Sequence, residues 1–265
     1  MANKFDWIIP TLRKPSSWWR LASTLTMVAV GLFSKVLIKL LNKSKIHNRH
    51  VMANLLNHRD PSRPLVTVSN HHSCFDDPGI WGTLKLRHLL CPSKMRWSLA
   101  AHDICFTCAP HSYFFSLGKC VPVIRGAGVY QDAVDFMIEK LAKGEWVHVF
   151  PEGKVNMTKE CLRLKWGVGR MILESPVPPI VVPIWHIGMD DVLPNEPPYV
   201  LRLRKNLTFN YGDPIDMTEM VKALKAANAT EEEARKQITD FLQDRLQQLR
   251  RETEALHIKY FKTKS

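Results

Sequence analysis

The stretch Leu65-Val66-Thr67-Val68-Ser69-Asn70-His71-His72-Ser73-Cys74-Phe75-Asp76-Asp77-Pro78 is the segment of this chain that says most about its fold. Its first residues are apolar and β-branched, which predicts a short buried strand. Asp76 or Asp77 followed by Pro78 predicts an N-cap and a first-turn proline, so a helix should begin here. His71 then falls in a strand-to-helix turn, where backbone N–H groups and the helix dipole favour a developing anion.

A histidine and a carboxylate at H-x4-D spacing can make a base that is aimed at a hydroxyl group, because the carboxylate orients the imidazole. With 11 His in the chain, chance matches are expected. Three pairs occur: His71/Asp76, His72/Asp77 and His186/Asp191. A proline-rich segment that cannot begin a helix follows His186, so we interpret His186 as a strand-end or loop residue. The alternative for His71 is a polar turn residue, with Asp76 capping the helix.

Other predicted strand ends carry further polar groups. Phe150-Pro151-Glu152-Gly153-Lys154 follows the strand-like residues 146–149 and brings a carboxylate and an ammonium group together. The apolar run that begins at Gly118 ends with Arg125, whose guanidinium suits forked contacts with phosphate. Val182-Pro183-Ile184 lies on a fourth strand-like run.

The patterns N-H-x-S-x-x-D, G-K-x-x-P-V-x-R, F-P-E-G-K and V-P-I, in this order and at these separations, resemble the glycerolipid acyltransferase superfamily, which is built around an H-x4-D core. The longer strings 66–71, 100–107, 114–119, 146–157 and 185–195 are most similar to the phospholipid–lysophospholipid transacylases that remodel cardiolipin. The resemblance covers roughly residues 15–257 and is far more specific than one motif.

The resemblance implies a catalytic pair. The family pattern is satisfied by Asn70, His71, Ser73 and Asp76. It makes His71 the general base and Asp76 the partner that orients it. His72 occupies a position that usually holds glutamine, so a rival pair of His72 with Asp77 stays open. Only one of two adjacent side chains can face the site.

The resemblance also implies a substrate site and a reaction. Glu152, Gly153 and Lys154 would position the glycerol and phosphate of a lysophospholipid acceptor, and Arg125 would add a phosphate contact. The alternative is that Glu152 and Lys154 form a solvated pair and Arg125 is an ordinary loop cation. The expected reaction is transfer of an acyl chain from an intact phospholipid, independent of coenzyme A and without a cofactor. An acyl-CoA-dependent acyltransferase and a non-catalytic protein that binds anionic lipids are the alternatives, whereas the absence of G-x-S-x-G argues against a serine hydrolase.

Composition narrows the class of partner. A formal charge of +12 with eight Trp suggests an anionic partner, and lipid is favoured because no nucleic-acid-binding signature occurs. The six cysteines include Cys105-x-x-Cys108 without a second pair at ligand spacing, so we expect no metal site. The sequence leaves open whether the protein forms an oligomer.

Residues 21–34 are uncharged and mostly apolar, and they lie between Trp18-Trp19-Arg20 and Lys35. This run is shorter than the roughly 20 residues that span a bilayer, and its flanks are typical of a monotopic, interfacial segment. A buried core helix and a signal-peptide core are the alternatives. We therefore expect a membrane-interface segment at 1–44 and an acyltransferase domain at 45–265. The family resemblance implies mitochondrial membranes facing the intermembrane space, although residues 1–6 do not resemble a presequence.

The remaining chain alternates strand-like and helical segments, which predicts an α/β fold with a mixed, largely parallel sheet covered by helices. Residues 45–59 and 78–88 are predicted to be helices. Thr230 and Glu233 form a capping box ahead of an amphipathic C-terminal helix.

Overall fold

A computed structural model describes residues 5–261 of the chain. Its centre is one eight-stranded sheet with the order β1-β7-β6-β2-β5-β3-β4, and β8 pairs with β6 beyond the end of β7. The strands are β1 Lys43–His47, β2 Leu65–Ser69, β3 Trp97–Ala101, β4 Cys120–Val123, β5 Trp146–Val149, β6 Ile180–Ile187, β7 Asn206–Tyr211 and β8 Ile215–Asp216.

The sheet is largely parallel, as the sequence predicted. Strands β6, β2, β5, β3 and β4 run in one direction, whereas β7 and β8 are antiparallel to β6. In the centre, Val68 lies opposite both Val149 of β5 and Pro183 of β6. The carboxyl ends of these three neighbouring strands therefore meet at the same edge of the sheet.

Helices cover both faces of the sheet. They are α1 Ile8–Arg13, α2 Ser17–Lys39, α3 Arg49–His58, α4 Asp76–Gly82, α5 Leu86–Leu89, α6 His102–Cys105, α7 Ala109–Leu117, α8 Asp132–Ala142, α9 Gly167–Glu174, α10 Met189–Val192, α11 Thr218–Ala226 and α12 Glu231–Phe261. One core cluster unites the sheet with α8, α9 and α12, and the second unites it with α2, α3 and α4.

The C-terminal helix begins with the predicted capping box. The Thr230 backbone N–H donates to Glu233 Oε2 at 2.9 Å, and the Glu233 N–H donates to Thr230 Oγ1 at 3.3 Å. Ile238, Leu242 and Leu246 form the buried stripe, which packs on the sheet and on α9. The amphipathic pattern thus serves packing of α12 on the domain.

Two predicted helices are shorter than expected. Residues 45–47 of the first belong to strand β1, which pairs with β7 through backbone hydrogen bonds, and Asn48 in the left-handed conformation separates the strand from α3. The second is split into α4 and α5 after Gly82. In the first case, pairing with β7 overrides a weak local preference for helix.

Helix α2 contains residues 21–34, the predicted interfacial segment. Its length and apolar composition would be sufficient to cross a membrane. One side packs on the domain at very short range: a Cβ on Gly82 of α4 would lie 2.7 Å from the backbone oxygen of Ser34. The other side is apolar and exposed, with Trp18, Leu21, Leu25, Leu32, Phe33, Val36 and Leu40. Because Gly82 of α4 lies against Ser34, the C-terminal half of α2 is held against the rest of the fold.

Candidate active site

The central strand β2 brings the sequence motifs together. It lies between β5 and β6 and is parallel to both, so Asn70-His71, Phe150–Gly153 and the end of β6 meet at one edge. Ser69 lies opposite Ile184, which places Asn70 level with the following residues of β6. Open α/β sheets bind ligands at this carboxyl edge.

His71 and Asp76 form a direct pair. His71 Nδ1 lies 3.0 Å from Asp76 Oδ2. The Asp76 side chain is fully buried, whereas that of His71 is 20% exposed. Since Nδ1 is occupied by the carboxylate, Nε2 is the ring nitrogen left for a substrate.

The turn itself holds the Asp76 carboxylate. Its Oδ2 accepts the backbone N–H groups of His72 at 2.6 Å and Ser73 at 2.8 Å. Burial by itself raises the pKa of Asp76, but the nearby His186 and the hydrogen bond from His71 outweigh it and lower the pKa. Asp76 is therefore an anion that faces into the turn, and it is the first residue of α4 rather than its N-cap.

A second histidine approaches the same carboxylate from the neighbouring strand. His186 Nε2 lies 3.6 Å from Asp76 Oδ2 and donates to the Asn70 backbone oxygen at 3.0 Å. The Asn70 side chain bonds the His186 backbone twice, at 3.0 Å each, from Nδ2 to its carbonyl and from its N–H to Oδ1. Asn70 thereby extends the pairing of β2 with β6 by one position. Burial lowers the pKa of His186, and the nearby Asp76 carboxylate opposes this shift.

The segment after β5 packs beneath His71. The Phe150 ring stacks on the His71 imidazole with centroids 4.2 Å apart and an interplanar angle of 21°. His148, buried in β5, packs edge-on against Phe150 at 4.5 Å. The Asn156 N–H donates to the His71 backbone oxygen at 2.6 Å. The imidazole therefore has a fixed plane as well as a fixed hydrogen-bond partner.

Glu152 lies inside the site. Its Oε1 accepts the His71 backbone N–H at 3.0 Å, and its Oε2 is buried with no hydrogen-bond partner among residues 5–261. Burial raises the pKa of Glu152. Gly153 has a φ of +76° in the turn that follows, and Lys154 is exposed. Glu152 is thus no solvated surface group, because it holds the backbone of the residue proposed as the base.

The rival pair predicted by spacing does not form. His72 Nδ1 bonds Asn70 Nδ2 at 3.1 Å, and its ring packs edge-on against Trp185. Burial lowers the pKa of His72 to about 4. Asp77 instead forms an ion pair with the buried Arg96 and accepts the Trp81 indole N–H at 2.8 Å. His72 and Asp77 therefore have different partners.

Arg125 lies away from this cluster. It follows β4, which is separated from β2 by β5 and β3, so at a strand spacing of about 4.8 Å it begins roughly 14 Å away across the sheet. Its guanidinium forms an exposed ion pair with Asp103. A direct contact with a small group at His71 would need movement of this side chain, whereas a long lipid could reach both.

Sequence reasoning missed His186, His148 and the stacking role of Phe150. The V-P-I string marked the strand that carries His186, but the H-x4-D test asked only for a carboxylate five residues later. The partner of His186 is Asp76, 110 positions earlier in the chain. Only the adjacency of β2 and β6 brings them together.

Comparison with known proteins gives a consistent set of similarities. A family model described as Acyltransferase matches residues 43–187. Tafazzin from Drosophila melanogaster is 55% identical over 257 residues, which are 97% of this chain and 68% of that protein. N-acylphosphatidylethanolamine synthase from Arabidopsis thaliana is 43% identical over 196 residues, 72% of this chain and 69% of that protein. Tafazzin from Saccharomyces cerevisiae is 31% identical over 250 residues, 80% of this chain and 65% of that protein.

Among solved structures, the 1-acyl-sn-glycerophosphate acyltransferase of Thermotoga maritima aligns with a TM-score of 0.57 and 18% identity. The alignment covers 94% of this chain and 88% of that one. At this identity the likeness establishes a shared fold.

Proposed function

The chain belongs to the glycerolipid acyltransferase superfamily, with tafazzins among its relatives, and from this premise we propose that it is a phospholipid–lysophospholipid transacylase. It moves an acyl chain from an intact phospholipid to a lysophospholipid such as monolysocardiolipin, without coenzyme A. The observation that carries the catalytic part is the 3.0 Å contact from His71 Nδ1 to the buried Asp76 carboxylate.

In the proposed reaction, His71 Nε2 accepts the proton of the lysophospholipid hydroxyl as that oxygen attacks the acyl carbonyl of the donor. Asp76 keeps the proton on Nδ1 and stabilises the imidazolium that forms, as in a serine-hydrolase triad with the substrate hydroxyl in place of the serine. The tetrahedral intermediate then expels the oxygen of the donor glycerol, which takes the proton back from Nε2. One ester bond forms and one breaks, and the products are a new phospholipid and a new lysophospholipid.

The neighbouring residues support this role for His71. Phe150, Glu152 and Asn156 fix the ring plane and both backbone polar groups of His71, so little reorganisation is needed when a substrate arrives. Glu152 Oε2 is a buried acceptor that a glycerol hydroxyl could satisfy. We propose that Glu152, Gly153 and Lys154 position the acceptor, with Asn70 and Ser73 shaping the turn and Arg125 binding a more distant phosphate.

We also propose that residues 1–44 form a membrane-interface segment on the acyltransferase domain 45–265. The exposed apolar side of α2 supports contact with lipid, and its packed side at Gly82 favours a helix that lies in the interface over one that spans the bilayer. Proposed localisation is on mitochondrial membranes that face the intermembrane space. Protease accessibility of the protein in intact and in outer-membrane-ruptured mitochondria tests this.

The deciding experiment supplies the purified protein with phosphatidylcholine vesicles that carry a labelled acyl chain and with monolysocardiolipin. A parallel reaction contains labelled acyl-CoA as the sole acyl donor. Acyl transfer in the first reaction, lost in His71→Ala and kept in the exposed surface variant His58→Ala, is the expected result. Transfer in the second reaction alone would make the protein an acyl-CoA-dependent acyltransferase. No transfer in either, with vesicle binding intact, would favour a non-catalytic lipid-binding protein.

A further inference from the structure

The segment that joins α10 to β7, residues 193–205, exposes apolar side chains at its tip. Tyr199 is 65% exposed, Val200 59% and Leu203 49%. Isolated apolar residues on a surface need no explanation, but several on one long connection without regular structure mark an interaction surface. We call residues 193–205 the β6–β7 loop.

Backbone hydrogen bonds fix this loop to the domain. The N–H of Arg202 donates to the Val192 oxygen at 2.7 Å, and the N–H of Arg204 donates to the Leu41 oxygen at 2.8 Å. Lys205 donates its N–H to Asn42 Oδ1 at 2.7 Å. The exposed apolar side chains are therefore presented on an anchored support.

The loop meets the C-terminal end of α2. Its contact with Leu41 places it at the C-terminal end of that helix, where Leu40 is 76% exposed. The C-terminal end of the loop, next to the exposed Leu203, is thus hydrogen-bonded to the residue that follows Leu40 at the end of α2. The two exposed apolar elements meet at this point of the chain.

The charges of the loop match an anionic surface. Arg202 and Arg204 are exposed and alternate with the apolar residues, and Lys43 is exposed on the adjoining strand β1. The acid of the segment is Glu196, so positive charge predominates. Arginine and aromatic or aliphatic side chains in alternation are typical of segments that lie at the level of lipid headgroups.

We propose that the β6–β7 loop is a second membrane-contact element, which inserts Tyr199, Val200 and Leu203 into a bilayer surface and binds anionic phospholipid headgroups through Arg202 and Arg204. This inference rests on the proposed membrane association of α2. Together the two elements give the domain a defined orientation on the membrane, because one helix alone would leave rotation about its axis free.

The other end of the loop contacts the turn that carries the proposed catalytic pair. Asn195 Nδ2 donates to the His72 backbone oxygen at 2.6 Å, and Ser73 Oγ donates to the Leu193 oxygen at 2.9 Å. Membrane contact through the loop tip therefore brings this turn to the bilayer edge, where the substrates are. Loop variants should lower the reaction with lipids in vesicles and leave the reaction with short-chain, water-soluble lipids unchanged.

The test is sedimentation of the full chain with phosphatidylcholine vesicles, with and without phosphatidylglycerol. Tyr199→Ser/Val200→Ser/Leu203→Ser should weaken binding to both vesicles at least ten-fold. Arg202→Gln/Arg204→Gln should weaken binding to the phosphatidylglycerol vesicles alone, by about five-fold for each arginine. The matched controls are the exposed residues Val177→Ser for the apolar set and Lys222→Gln/Lys225→Gln for the cations, and both should bind as the parent does.

The outcomes separate this inference from the proposed function. If the parent protein does not bind either vesicle, the membrane association of α2 fails. A second outcome is that the parent binds vesicles, Leu32→Ser/Phe33→Ser on α2 weakens this binding, and the loop variants bind as the parent does. This outcome overturns the loop proposal and leaves the membrane association of α2 intact. Thermal unfolding and turnover of a short-chain substrate, both unchanged in the loop variants, show that a loss of binding is not a loss of folding.

Discussion

His71 and His72 are neighbours in the chain, yet their imidazole rings have entirely different surroundings. His71 Nδ1 pairs with Asp76 and its ring stacks on Phe150. His72 Nδ1 pairs with Asn70 and its ring packs on Trp185. This divergence supports the proposed choice of His71 with Asp76 over His72 with Asp77, since a base needs both an orienting carboxylate and a ring nitrogen that a substrate can reach.

The two adjacent carboxylates should respond differently to the same substitution. Asp76→Asn should lower kcat by about 10³–10⁴-fold, because an amide neither holds the His71 tautomer nor stabilises the imidazolium. Asp77→Asn leaves the buried Arg96 without its anion, so it should cost about 3–5 kcal/mol of unfolding free energy. Steady-state kinetics and urea unfolding of both variants check this. A loss of activity in Asp77→Asn that exceeded its loss of folded protein would contradict the assignment.

His186 should act as a positioning residue for Asp76. His186→Leu removes the Nε2–H that bonds the Asn70 oxygen and takes away the ring 3.6 Å from the carboxylate. We expect kcat to fall about ten-fold or more with little change in KM, because the ring contacts the turn and has no free edge for a substrate. His186→Gln can return an N–H at the same position and should recover part of kcat. If His186→Leu and His186→Gln had the same kcat and the same stability, His186 would not be a positioning residue for Asp76.

The contact of α2 with α4 should be sensitive to a single methyl group. Gly82→Ala would place a Cβ 2.7 Å from the Ser34 oxygen, and the backbone atoms there cannot move aside easily. A loss of about 1–3 kcal/mol of unfolding free energy is expected, together with weaker vesicle binding if α2 shifts. Gly167→Ala is the matched control, since nothing lies within 4 Å of its Cβ position, and it should be stabilising by about 0.4–1 kcal/mol.

Acid should destabilise the protein through its buried histidines. Burial lowers the pKa of His148 to about 3 and that of His72 to about 4, whereas an unfolded histidine titrates near 6.5. Between pH 6.5 and these values the unfolded state binds more protons, so stability falls as pH falls. Each of the two groups should cost about 2 kcal/mol at pH 5. Glu152, whose pKa burial raises, acts in the opposite direction.

Urea unfolding of the parent and of His148→Gln at pH 7 and pH 5 measures this. The other titrating groups are common to both proteins, so the variant should lose about 2 kcal/mol less than the parent on acidification. His58→Gln, an exposed substitution, should keep the pH dependence of the parent. If the stability of His148→Gln and that of His58→Gln depend on pH in the same way, protonation of His148 is not what destabilises the protein in acid.

Local pattern was sufficient for the elements whose sequence signal is strong. The apolar and β-branched run 65–68, the capping box at Thr230 and the apolar stripe of α12 each follow a short-range rule, and the structure confirms all three. The same rules were wrong for residues 45–47, which were predicted to begin a helix but belong to strand β1, Lys43–His47. Nothing within that polar pentapeptide predicts a strand, because its strand state depends on β7, which lies more than 150 positions later.

By itself the sequence determined most of the strands and helices, the family, and the residue types at the site, because strand-to-helix turns, apolar periodicity and motif spacing are local properties of the chain. Only the tertiary structure decided that Asp76 faces His71 while Asp77 faces Arg96, and that His186, Phe150 and Glu152 surround His71. Those relationships depend on the order of the sheet, in which β5 and β6 lie on either side of β2 and run parallel to it. Strand adjacency comes from burial of both sheet faces by distant segments, and no spacing along the chain encodes it.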